Sequence, residues 1–166
     1  MMRMGGYVIS LILAFMVMVS MVVFSGASGA LFINIPAMMV VVVFPLVLLR
    51  SSFSFAEMGT YFRMALRGPE SRDSGFQKTG TAAELKRGVL FFNGLRSYLL
   101  SAGFIGGIIG TITILANLSD TAHVGFGAAL VLLTILYALV LSALVVLPLR
   151  TSLEKQLAGE KAREAG

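Results

Sequence analysis

The stretch FIGGIIGTITILANLSDTAHVGFGAALVLLTILYALVLSALVVLPL, Phe104 to Leu149, decides how this chain folds. It holds two apolar runs either side of a short polar turn, Asn117 to Asp120. Gly103 and Gly107 lie four apart, as do Gly106 and Gly110. Small residues at that spacing let helix backbones approach closely in lipid, where packing rather than the hydrophobic effect joins helices. Such a glycine face serves either contact within one chain or contact between subunits.

Working outward, Ser97 to Ser119 is 23 residues without a charge, and in Thr121 to Leu149 His123 is the side chain able to titrate near neutral pH. Met4 to Leu49 is an uncharged run of 46 residues, too long for one buried helix. A spanning helix needs about 20 apolar residues, so four spans are expected. Composition agrees, with 57% hydrophobic residues and 13% charged against about 25% charged in soluble domains. The expected class is an all-α integral membrane protein with four transmembrane helices. The third and fourth are expected to extend beyond the membrane.

The thirteen Lys and Arg fall before the first span, between the second and third, or after the fourth. That asymmetry predicts both termini in the cytoplasm, and it assigns the net charge of +5 to the membrane rather than to nucleic acid. The chain has no cysteine and one histidine. Disulfides and thiolate sites are excluded, and no metal site, cofactor or enzymatic activity is expected.

The chain divides into 1–49, a first helix pair; 50–81, a short segment with an amphipathic helix and a loop; 82–150, a second pair with its extension; and 151–166, a charged helical tail. The first span is placed at Tyr7 to Phe24. A cleavable signal peptide is its rival reading, because Ser25 to Ala30 offers small residues for cleavage. The second span is placed at Leu31 to Leu49, with Pro45 predicting a kink. Ser54 with Glu57 and Thr81 with Glu84 have capping-box spacing. Between them Phe55, Met58, Phe62 and Ala65 recur at helical spacing. They suggest either a helix lying at the membrane interface, its arginines toward lipid headgroups, or a protein-binding face. The fourth span is expected to end at Pro148 and Arg150. Thr134, Tyr137 and Ser142 are its polar groups, each expected to bond its own helix or a neighbour. No carboxylate lies in the apolar runs, so any ion crossing here needs a titrating group from a partner.

Three segments resemble the MotA/TolQ/ExbB proton-channel family, most closely its MotA branch. Phe32-Ile-Asn-Ile-Pro-Ala37 and the following Ser52-Phe-Ser-Phe-Ala-Glu57 resemble the branch's F-I-D-I-P-S and the segment leaving its second span. Gly103-Phe-Ile-Gly-Gly-Ile-Ile-Gly110 with Ala116-Asn-Leu-Ser-Asp120 resembles G-L-I-G-T-V-I-G…A-N-L-S-D. Gly125-Phe-Gly-Ala-Ala-Leu-Val-Leu-Leu-Thr-Ile-Leu-Tyr137 with Leu147-Pro148 resembles G-P-G-M-A-V-A-L-L-T-T-L-Y-G…L-P.

The resemblance implies a homopentamer in the bacterial inner membrane around two helices of a single-span MotB/ExbD/TolR-like partner. That partner would supply an ion-carrying aspartate, and the whole would act as the stator of a flagellar or other force-transducing motor. The implied ion pathway retains Thr134 and Tyr137, with Thr111, one turn along from Gly107, as a substitute for the missing third-span threonine, and packing and oligomer contacts are assigned to Gly103, Gly106, Gly107 and Gly110. Gly107, Ile135 and Leu100 replace a threonine, a second threonine and a proline of the family pattern. A conducting stator subunit and a non-conducting scaffold of the same architecture both remain open.

Overall fold

A computed structural model describes residues 29–67 and 81–164, together with 13, 16, 17, 20, 23, 24 and 26. The expected first span, the signal-peptide reading and the loop Gly68 to Gly80 lie largely or wholly outside these residues. Among the described residues the chain is helical throughout, with no strand.

A single turn of tight 3-10 helix, Gly29–Phe32, leads into α1, Ile35–Leu49. Asn34 caps α1, its Oδ1 accepting from the Ala37 N–H at 3.0 Å. Pro36 occupies the first turn, where its missing donor costs nothing. The helix therefore starts later than the Leu31 expected for the second span, because Asn34 is the residue able to cap it. The expected disturbance at Pro45 is a wide π turn, Met39–Val43, just before it. A ring in place of an N–H releases one carbonyl and crowds the preceding turn, and a single wide turn relieves both.

Two capping boxes close as their spacing predicts. Ser54 and Glu57 exchange bonds at the start of α2, Phe55–Arg67: Glu57 Oε2 accepts from the Ser54 N–H at 2.7 Å and Ser54 Oγ from the Glu57 N–H at 3.2 Å. Thr81 and Glu84 do the same at the start of α3, Ala82–Ala116. At 35 residues α3 runs unbroken for about 52 Å. Asp120 caps α4, Thr121–Val140, and a second π turn, Leu141–Val146, joins it to α5, Leu147–Glu164. This turn also stands just before a proline, Pro148. The helix continues through that proline to Glu164, past the expected end of the fourth span and into the expected helical tail, because the wide turn takes up the ring.

The two long helices, Ala82–Ala116 and Thr121–Ala162, are long and apolar enough to cross a membrane, and α1 is a shorter apolar helix. Only 33% of each long helix's most apolar window is buried within the chain. A core helix of a soluble protein hides most of its apolar side chains. Here Phe104, Ile112, Leu115 and Leu132 stand more than half exposed, which fits a helix surface meant for lipid or another helix. Among the described residues the fold is thus all-helical, built on two helices long and apolar enough to cross a membrane.

The main core lies at the basic end of the long hairpin. Phe91 and Phe92 of α3 are fully buried, and Phe53, Tyr61 and Phe62 pack on them with ring centroids 5.2–5.9 Å apart. Met58, Tyr61 and Ala65 form the buried face of α2, with Leu85 of α3 and Leu153 of α5 in the same cluster. Ser152 Oγ donates to the Ala65 carbonyl at 2.8 Å and Gln156 Nε2 to the Met64 carbonyl at 3.0 Å. These are carbonyls that the end of a helix leaves without an internal donor. The apolar stripe of α2 is therefore covered by this chain's own helices and not by lipid. Phe55 alone of the expected stripe stays well exposed, with the Arg50 guanidinium 5.2 Å above its ring.

Candidate functional site: the α3–α4 hairpin and its groove

The antiparallel contact of α3 with α4 and α5 keeps one register along its length. A methyl at Gly103 would lie 2.5 Å from Ala138 Cβ, one at Gly106 2.6 Å from Thr134 Cγ2, and one at Gly110 2.7 Å from Val131 Cγ2. A methyl at Gly88 would lie 2.8 Å from Leu153 Cδ1, and Gly127 meets Ile114 Cγ1 at 2.7 Å in the same sense. The residue numbers of these pairs add to 240 or 241 throughout. A Cβ cannot sit at such distances unless a neighbour shifts, so Gly103, Gly106 and Gly110 of α3 are spent on closing the hairpin within the chain.

Gly107 differs. A methyl there would sit 3.6 Å from Ile135 Cδ1, an ordinary contact. Gly107 opens onto a groove of about 300 Å³ lined by Phe104, Gly107, Ile108, Thr111, Ile112, Val131 and Ile135. Of these only Thr111 carries a polar side chain, and its hydroxyl donates to the Gly107 carbonyl at 2.9 Å. The groove thus brings together three of the positions singled out by resemblance: Gly107, Thr111 and Ile135.

It does not include Thr134 or Tyr137. Thr134 is fully buried and faces Gly106, and its hydroxyl serves its own helix at Leu130 (2.8 Å) and Val131 (3.0 Å). Neighbouring helix positions differ by about 100° in direction, so Ile135 reaches the groove and Thr134 does not. Tyr137 points to α1: its hydroxyl donates to the Phe32 carbonyl and accepts from the Asn34 N–H at 3.1 Å. Thr111, Thr134 and Tyr137 therefore do not form one path within a single chain. Leu100 is exposed on α3, away from the hairpin contact.

The Tyr137 contact ties together residues more than one hundred positions apart. Removing the hydroxyl leaves a carbonyl and an N–H without partners in apolar surroundings, which costs about 1–3 kcal/mol. Tyr137→Phe is expected to lower the melting temperature measurably and to expose the region before α1 to protease. An unchanged melting curve would show that the contact contributes nothing.

Charges gather at the two ends of the hairpin. At the turn, Asp120 Oδ2 lies 2.8 Å from His123 Nδ1, and Oδ1 accepts from the N–H groups of Ala122 and His123. These bonds hold the Asp120 carboxyl below its usual range, the His123 side chain contributing most. His123 lies in the first turn of α4, exposed as expected. At the basic end Glu57 is likewise held low, chiefly by its bonds with Ser54, and it lies 3.5 Å from Arg87. No group of metal-ligating side chains occurs among the described residues.

Comparison with family models finds none that matches this chain, and comparison with curated proteins likewise finds no match.

Proposed function

We propose that this chain is a stator-like subunit of the inner membrane: a four-span helical protein with both termini cytoplasmic, assembling as a homopentamer around a single-span partner dimer. The partner brings the ion-carrying carboxylate. One observation carries this reading. An apolar groove remains open on the hairpin at Gly107, Thr111 and Ile135, three of the positions the resemblance singles out, while the neighbouring glycines are already used within the chain. A groove of this kind fits an apolar helix, and a chain without a carboxylate in its apolar runs needs one from outside to move ions.

Because the sequence lacks cysteine, single-cysteine variants give unambiguous cross-links. Ile135→Cys is expected to cross-link to a cysteine placed beside the aspartate of the single-span partner, whereas Leu139→Cys, one turn along and outside the groove lining, gives none. Equal cross-linking at both positions would refute the docking site.

A second reading, a non-conducting scaffold of the same architecture for an envelope or flagellar component, is favoured by one feature. The Thr134 hydroxyl is buried and bonded to its own helix, so the groove offers the ion a single hydroxyl, Thr111. Thr134→Val keeps the shape of the side chain. If the subunit conducts through a path that uses Thr134, the ion-driven phenotype is lost. If Thr134 is only structural, assembly and phenotype both persist.

A further inference from the structure

We propose that Arg96 binds the phosphate of an anionic phospholipid in the leaflet at the basic end of the hairpin. This rests on the membrane reading above. Arg96 ends the charged part of α3: the next residue begins the uncharged run, and Ser97 to Ala116 rises about 30 Å, the thickness of a hydrocarbon layer. By the hairpin's register Arg96 stands level with Val145, in the π turn Leu141–Val146. The end of α1 is level too, since a methyl at Gly94 would lie 3.3 Å from Leu49 Cδ2, and Arg50 follows directly. Two arginines from adjacent helices thus mark one depth.

Among the described residues Arg96 and Arg150 are the two half-buried Lys or Arg side chains, and Arg96 is the one with no carboxylate beside it. Its side chain is half-buried, and its Nε is closed off without an acceptor. The other half-buried arginine, Arg150, has Glu154 at 2.8 Å, and Arg87 has Glu57. Glu84 is committed to the Thr81 cap and Asp120 lies at the far turn, while Glu160 belongs to the last turns of α5. A guanidinium half-removed from water needs a strong acceptor, and phosphate matches its forked donors. Side chains on α3 lean toward its N-terminus, which carries the Arg96 head outward to the headgroup layer, as arginines near span ends do. Above it Leu100 continues the same i, i+4 row, is exposed, and offers the acyl chain an apolar surface outside the groove lining.

The test is native mass spectrometry of the full chain released from bilayers holding equal phosphatidylglycerol and phosphatidylcholine. The wild-type chain is expected to retain phosphatidylglycerol preferentially. Arg96→Gln is expected to weaken that retention about tenfold, the loss of one charge-assisted contact. Arg96→Lys is expected to keep part of it, and Arg63→Gln, on the exposed side of α2, all of it. Millimolar inorganic phosphate should not displace the lipid. Equal retention of the two lipids by the wild type, undiminished preference in a folded Arg96→Gln, or displacement by inorganic phosphate each overturns the proposal. Should Arg96→Gln not fold, the wild-type preference, phosphate competition and Arg96→Lys decide it. Recovery of the chain in the soluble fraction would instead refute the membrane reading beneath it.

Discussion

Gly110→Ala is expected to destabilise this protein sharply, while Gly107→Ala, three positions earlier on the same helix, is expected to be tolerated or mildly stabilising. The added methyl is the same, but its surroundings differ. At Gly110 it would meet Val131 Cγ2 at 2.7 Å and two backbone atoms of α4 at 2.9 Å. Backbone cannot swing aside as a side-chain tip can, so the hairpin must part along its length. Overpacking of this kind costs about 1–3 kcal/mol, and loss of the neighbouring contacts adds to that. At Gly107 the nearest atom is 3.6 Å away, and replacing a helical glycine by alanine gains up to about 1 kcal/mol. Gly103→Ala and Gly106→Ala should behave like Gly110→Ala, and Gly106→Leu or Gly110→Leu should abolish assembly by preventing the fold. Thermal melts in detergent check the series. A flat profile across the four positions would show that the hairpin does not close on its glycines.

Phe91→Ala is the second large effect. Phe91 is fully buried and lies in ring contact with Phe53, Tyr61, Phe62 and Phe92. Removing a buried phenylalanine costs about 3–5 kcal/mol through lost transfer energy and the cavity left behind. The damage should be local in character, since these rings fasten α2 to α3 at the basic end and stand apart from the glycine contacts. Limited proteolysis is therefore expected to cut the chain around α2 in Phe91→Ala while the apolar hairpin stays protected. In Gly110→Ala the order reverses. If both variants lose protection everywhere together, the two ends do not form separate units of stability.

Much of this fold is legible in the sequence because its signals are local. The capping boxes at Ser54 and Thr81, the cap at Asp120 and the disturbance at Pro45 each depend on a few residues in a row. The glycines of α3 are legible as a close-contact face. Their partners are not, since small-residue spacing reads the same whether the neighbour is α4 or another subunit. The site was harder to read for the same reason. Thr134 and Ile135 are adjacent in sequence, yet one is sealed against Gly106 and the other lines the groove, and only the rotation of α4 against α3 decides which. The stripe on α2 is legible at Met58 and Ala65, but its buried face also takes in Tyr61 and leaves Phe55 exposed, because α3 and α5 cover it from one side. The contact of Tyr137 with the Phe32 carbonyl joins distant parts of the chain and leaves no local trace. Nor does any spacing rule show that Arg96 has no anionic partner among the described residues; that follows from Glu57 facing Arg87 and Glu154 facing Arg150.

The central claim is that this chain builds a membrane ring whose open groove takes a helix from another protein. Native mass spectrometry of complexes extracted from membranes with the single-span partner co-expressed tests it most directly. The predicted result is a mass of five copies of this chain with two of the partner, reduced to separate components by a bulky residue at Gly107. A single chain in the membrane extract, unassociated whether or not the partner is present, would contradict it.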